Sequence, residues 1–258
     1  PARAEADRNG GDGVAAGVEW VRLDLEQPET FAPALAGVDA VFMVARPGDD
    51  EADRVAAPLV DALVREGVAR VVDLSALGAE LRPDFALRRV ELMLEGSGVA
   101  WTHLRPNWFM QVFSTPPLLD GIRARGELCL PAGDARLSFV DARDVAAVAA
   151  VALCETGHAG KAYALTGGEA LDHAQVAAEI GRASGRAVRY RPLGEAAARA
   201  ALASSGFGPG RVERLIGFYR LVRGGACAPV SADVATVLGR PPIGFRTFAC
   251  TNASLWRD

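Results

Sequence analysis

The residues able to do chemistry are few in this chain, and their spacing excludes most reaction types. His103, His158 and His173 form no His-x-x-x-His pair, and Cys129, Cys154, Cys227 and Cys250 stand too far apart for a redox pair or a zinc knuckle. No metal site is expected, and the cysteines read as buried or incidental thiols. A serine nucleophile needs a tight Gly-x-Ser-x-Gly elbow, whereas Gly96-Ser97-Gly98 has the wrong spacing and reads as a helix stop. A phosphate-cradling loop needs Gly-Lys-Ser/Thr, and the single lysine, Lys161, is followed by Ala162. The glycine-rich stretch 206–210 lies between two helices, and Thr166-Gly167-Gly168 follows a late strand. Both read as turns, because a dinucleotide loop must follow the first strand. What remains is a set of abrupt changes in polarity at strand ends: Asp24-Leu25, Val44-Ala45-Arg46-Pro47, Ser75-Ala76-Leu77-Gly78 and Pro106-Asn107.

The elements that must position these residues are legible from periodicity. Residues 1–17 are polar and glycine-rich and read as a helix remnant followed by a loop. Residues 18–23 alternate as a strand does, a short helix covers 28–35, and 38–44 is a nearly continuous apolar run of the kind a buried parallel strand needs. Helix 51–65, strand 68–74, helix 85–95 and strand 99–104 follow, joined by short connections. Three strand-to-helix alternations predict an α/β fold with a doubly wound parallel sheet, in which ligands lie outside the carboxyl ends of the strands. The pattern turns irregular after Pro106, then gives an extended stretch at 137–141, a helix at 145–153 and a strand at 162–166. From Asp172 onward the chain is mostly helical, over 174–183, 195–203, 212–222, 233–238 and 245–255, with only 188–190 suggesting another strand. The organisation expected is a Rossmann-like core over 1–168, with an insertion at about 107–136, and a small helical lobe over 169–258.

Composition bounds the function class. Half of the 258 residues are hydrophobic and 23% are charged, enough for a real core and too apolar for a disordered chain. A formal net charge of -4 argues against direct nucleic-acid binding. No apolar run reaches membrane-spanning length and no signal peptide opens the chain, so a cytoplasmic protein is expected.

Several segments together resemble the NmrA-like family of atypical short-chain dehydrogenase/reductases, which bind NAD(P). They are 18–25 (VEWVRLDL), 36–42 (AGVDAVF), 70–78 (RVVDLSALG), 97–110 (SGVAWTHLRPNWFM) and 139–146 (FVDARDVA), with 239–242 (GRPP) and 245–248 (FRTF) near the end. The resemblance implies NADP or NAD as cofactor. Asp24 would meet the adenine edge with Leu25 beside it, and Val44, Ala45 and Arg46 would pass under the adenosine ribose and pyrophosphate. Leu74, Ser75 and Ala76 would line the nicotinamide ribose, and Pro106 and Asn107 would close over the ring. Trp108, Phe109 and Met110 would begin an apolar substrate wall suited to a planar molecule, although lobe packing explains the same three residues equally well.

The chain departs from that family in two places. The family's opening glycine-loop strand, first helix and second strand have no counterpart before Pro1-Ala2-Arg3-Ala4. Weak or no cofactor binding, a gap or a substitution in the sheet, an 18–23 strand that is either detached or moved beside the 38–44 strand, and a less stable, more aggregation-prone chain are therefore expected. The Tyr-x-x-x-Lys pair of the wider superfamily is replaced by Asp84 and Arg88, so no catalytic acid is assigned. Two functions remain open: an NAD(P)H-dependent reductase of a small quinone, enone or imine, and a non-catalytic NAD(P)-sensing regulator that binds a protein partner. A truncated, inactive member is the third reading.

Overall fold

The computed structural model describes residues 18–45 and 51–257. The helix and loop expected at 1–17, Arg46, and the cap expected from Asp49 and Asp50 lie outside the described residues. Four strands form a parallel sheet in the order β1-β2-β3-β5: β1 (Ala40–Met43), β2 (Arg70–Leu74), β3 (Ala100–Pro106) and β5 (Lys161–Leu165). The register pairs Met43 with Asp73, Asp73 with His103 and Pro106 with Leu165, so all four carboxyl ends fall along one edge. The crossovers are the helices expected between the apolar runs. α2 (Ala52–Arg65) and α3 (Ala86–Ser97) cover one face, their buried Leu59, Leu63, Val90 and Leu94 packing on Val71. On the other face α5 (Ala142–Cys154) and α9 (Asp233–Leu238) pack on Val72, Leu104 and Leu165. The central β2 is buried on both faces, whereas in the apolar run of β1 Phe42 and Val44 are exposed, because β1 pairs on one side only among the described strands.

Two expectations need correction. Residues 18–23 form no strand: Val18, Trp20 and Val21 are exposed and the segment joins no ladder. Of the two placements expected for it, it takes the detached one. Alternation describes a strand only where a neighbour accepts its backbone bonds, and β1 pairs with β2 alone among the described strands. The segment does lead into the expected short helix, which is a 3₁₀ turn (Pro28–Thr30) followed by α1 (Phe31–Leu35).

The second correction falls in the stretch read as irregular. After α4 (Leu118–Arg125) comes β4 (Glu127–Leu130), which pairs in parallel with β6 (Arg189–Pro192) to form a separate two-stranded sheet. Its partner arrives some sixty residues later in the chain, beyond the reach of local pattern. α6 (His173–Ser184), α7 (Glu195–Ser204), α8 (Pro209–Arg223) and α10 (Phe245–Thr251) complete the chain. Most of them contribute to an aromatic core of Met110, Phe113, Phe139, Phe245, Phe248 and Trp256, separate from the two clusters on the four-stranded sheet.

Candidate functional site

The strand-end residues come together as a rim. Ala45 is buried just beyond β1, and Val44 is half exposed. Hydrogen bonding continues past β2 and β3, where Ser75 N–H donates to Leu104 O at 2.8 Å and Leu77 N–H to Pro106 O at 3.0 Å. That continuation fixes the loop carrying Ser75 and Ala76 against Pro106. Ser75 Oγ is buried beside Glu91 without a hydrogen bond of normal length, and Leu74 packs toward α5. Asp24 and Leu25 lie in a turn leading to α1, the Asp24 carboxylate accepting from Glu26 N–H at 3.0 Å and Leu25 packing on the α2 and α3 cluster.

Asn107 is placed at the rim but is committed inward. Its amide nitrogen donates to Ser138 Oγ and to Cys227 O, both at 2.8 Å, and its oxygen accepts from Trp108 N–H at 2.9 Å. It therefore contributes position rather than free hydrogen-bonding groups. The three aromatic and thioether residues that follow separate. Trp108 turns toward a cavity, whereas Phe109 packs with Leu74 and Val140 on the α5 face and Met110 is buried in the aromatic core. The part of the expected wall that meets the cavity is Trp108, because the extended backbone at Phe109, bridged to Val140, sends successive side chains to opposite sides before the 3₁₀ turn begins at Met110.

The cavity measures about 350 Å³ and is lined mainly by apolar and aromatic groups, Trp108, Phe113, Phe139, Leu202, Phe207 and Tyr219 among them. Trp108 and Tyr219 meet with ring centroids 5.1 Å apart. Burial pushes the Tyr219 phenol far up, so it stays protonated. Polar groups are sparse: His173 in the wall, and Arg125, Glu127 and Arg211 among the charged lining residues. No local sequence pattern signals this cavity, because its walls come from α4, β4, α6, α7 and α8, which are separate in the chain.

A second polar cluster lies under α3 on the sheet. Glu91, fully buried, receives Arg105 at 2.8 Å on each oxygen and Arg88 at 2.7 Å. Burial, the largest single influence, would raise its pKa; the bonds from Arg105, Ser75 and Arg88 together outweigh this and hold it at about 2. His103 lies 3.3 Å from the Asp73 carboxylate and 3.4 Å from that of Glu95, stacked on Trp101. Burial raises the Asp73 pKa against the opposing pull of His103. Asp73, Glu91 and His103 are close enough together to share an ion, but the Glu91 oxygens are already taken by guanidinium groups. Arg88, standing where the superfamily has its lysine, is tied to Glu91 and Glu95 and so faces this cluster.

The first 156 residues carry the decisive likeness: a family model described as NAD(P)H-binding matches residues 6–156. The chain belongs to the NAD(P)H-binding, NmrA-like family of atypical short-chain dehydrogenase/reductases. It is 35% identical over 246 residues to an NAD(P)H azoreductase of Xenophilus azovorans, covering 93% of this chain and 84% of that one. It is 39% identical over 243 residues to a (4-alkanoyl-5-oxo-2,5-dihydrofuran-3-yl)methyl phosphate reductase of Streptomyces griseus subsp. griseus, covering 92% and 84%. Among solved structures, the NADPH complex of the quinone oxidoreductase QOR2 from Escherichia coli superposes with a TM-score of 0.80 at 26% identity, covering 89% of this chain and 82% of that one. NAD(P) is the cofactor of this family member. The rim fits it in one respect seen directly: the residues at the ends of β1 and β2, Ala45, Ser75 and Ala76, are all small, and Ser75 N–H is already held by β3.

Proposed function

We propose that the protein is an NAD(P)H-dependent reductase of a flat, conjugated small molecule, such as a quinone, enone or imine, with the substrate held in the aromatic cavity behind Trp108. The observation that supports this most is the position of the cavity, whose Trp108 wall directly follows the Pro106-Asn107 end of β3. In a doubly wound sheet that end is where a nicotinamide would lie. The division of labour in this reading gives the cofactor to residues 1–168, apart from the 107–136 insertion, and the substrate to that insertion together with 169–258.

When bound, the reduced cofactor supplies a hydride. Leu74, Ser75 and Ala76 would line its ribose, and Pro106 with Asn107 would wall the ring, the Asn107 amide holding that wall to Ser138 and Cys227. Val44, Ala45, Asp24 and Leu25 would carry the adenosine half. Trp108 and Tyr219 present aromatic faces that orient a planar substrate and exclude water. The Tyr219 hydroxyl can donate a hydrogen bond to a carbonyl or azo nitrogen but does not ionise near neutral pH, so the proton that accompanies the hydride is drawn from solvent. The names of the relatives, an azoreductase and a quinone oxidoreductase, agree with this substrate class.

The test is oxidation of NADPH and of NADH by the purified protein with a panel of quinones, enones and azo compounds. Turnover that saturates with at least one planar acceptor is expected. Tight dinucleotide binding with no turnover on any acceptor would sink the reductase reading in favour of a sensing regulator.

A further inference from the structure

In the cavity wall His173 packs among aromatic rings but makes no hydrogen bond through its imidazole among the described residues. His173 is the first residue of α6, and its place is set by a capping box in which the Asp172 carboxylate accepts from Gln175 N–H at 2.8 Å while the Gln175 side chain accepts from Asp172 N–H at 3.0 Å. The cap holds the backbone and leaves the imidazole free of local bonds. The ring is 2% exposed, packed edge-on against Phe113 and Phe139 at 6.2 and 5.6 Å and stacked on Tyr190 at 5.3 Å. Its Nδ1 is sealed by this packing and has no hydrogen-bond partner among the described residues; Nε2 is not sealed in this way and likewise has no partner among them, and the residue lines the cavity, so Nε2 is the nitrogen a ligand can reach. A buried polar atom left unpaired costs free energy, and a purely packing role at this position would be met better by phenylalanine or leucine.

We propose that His173 selects the substrate, its imidazole hydrogen-bonding a hydroxyl or carbonyl substituent on the conjugated ring system that fills the cavity. This rests on the reductase reading and narrows its substrate class to ring compounds with a polar substituent beyond the reducible group. Burial holds the imidazole at about 4, so near neutral pH it is uncharged, with one nitrogen able to donate and the other to accept. It can therefore pair with either a hydroxyl or a carbonyl, and an unsubstituted ring would leave it unpaired. Of the charged lining groups, Arg125 is largely exposed and Glu127 is engaged by Arg191 at 3.0 Å, and the Tyr219 hydroxyl stands at the Trp108 end of the cavity.

The experiment compares 1,4-naphthoquinone with 6-hydroxy-1,4-naphthoquinone, whose hydroxyl is free of the ring carbonyls, as acceptors for NADPH, in the wild type and in His173→Phe, which keeps an aromatic ring in the box. The ratio of the two kcat/KM values, taken between the two proteins, cancels the intrinsic reactivity of each quinone. A drop of roughly 10-fold in preference for the hydroxylated acceptor is expected on losing one such hydrogen bond. An unchanged ratio would overturn the proposal. Independently of turnover and of the variant's folding, long-range proton–nitrogen spectra of the three histidine rings in the wild type are followed as the hydroxylated quinone is added without cofactor. A shift confined to the His173 ring, absent with the unsubstituted quinone, supports the assignment, and a His173 ring unmoved by either quinone refutes it. Failure of the wild type to oxidise NADPH with any acceptor would remove the reductase reading while the ring spectra still decide whether His173 binds.

Discussion

Glu91 has no exposed side-chain surface, and its charge is tolerated only because Arg105 and Arg88 bond to it directly. Glu91→Gln strands both guanidinium groups, and the expected loss is about 3–5 kcal/mol in urea unfolding. A loss under about 1 kcal/mol would show that the cluster is solvated after all. The folded pKa of about 2 lies below the ordinary 4.5, so this stabilisation is fully present above pH 4.5 and is lost as pH falls toward 2. His173 also works against stability in acid, but in a higher window. Its folded value of about 4 lies below 6.5, so the unfolded chain takes up a proton between these values and the folded one does not. The wild type should therefore lose up to about 1.4 kcal/mol per pH unit through that window, relative to His173→Phe. Parallel stability curves for the two proteins from pH 6.5 to 4 would contradict the burial argument. Trp108→Ala removes one aromatic wall of the cavity, and a loss of about 0.5–1.5 kcal/mol of substrate interaction, read as a several-fold fall in kcat/KM with NADPH affinity unchanged, is expected.

At the scale of elements, one close approach joins β5 to the cavity. A Cβ on Gly167 would stand 2.2 Å from Phe139 O, and the Phe139 ring lines the cavity. Gly167→Ala must push the two segments apart, at a cost of about 1–3 kcal/mol, and should raise KM for the acceptor as Phe139 shifts. An alanine variant with unchanged thermal midpoint and KM would mean that the junction yields without disturbing the wall. Gly126, which closes α4 with φ +63, is similarly constrained, since its Cβ would lie 2.4 Å from Ala187 O beside the β4 and β6 pair.

For the whole molecule, the question is what holds the four-stranded sheet and the aromatic core in one arrangement. Besides Asn107, Asp144 at the start of α5 is fully buried and accepts from Arg240 at 2.7 Å and from Ile243 N–H at 2.6 Å. These bonds hold the approach to α10 against the α5 face of the sheet. Asp144→Ala leaves the partly buried Ile243 amide without its acceptor and frees the half-exposed Arg240, and a destabilisation of about 1–3 kcal/mol is expected. The accompanying signature is faster hydrogen exchange through 239–257 with β2 and β3 still protected. Uniform loss of protection across the chain would show instead that sheet and lobe unfold as one unit.

The sequence by itself determined the parallel sheet, its crossover helices and the rim, because buried strands, amphipathic helices and strand-end polarity are written in neighbouring residues. The Asp172 cap and the helices of the C-terminal third were equally local, and α6 runs one residue beyond the predicted span at each end. Residues 18–23 carried the right alternation without a partner to make a strand, and β4 had a partner too distant to signal it. The cavity, the exclusion of Phe109 and Met110 from it, and the inward commitment of Asn107 were decided only by tertiary structure. So were the pairing of His103 with Asp73 and the unsatisfied imidazole of His173. Each depends on side chains from remote elements meeting within a few ångströms, and hydrogen-bond satisfaction is a property of that meeting and not of residue type.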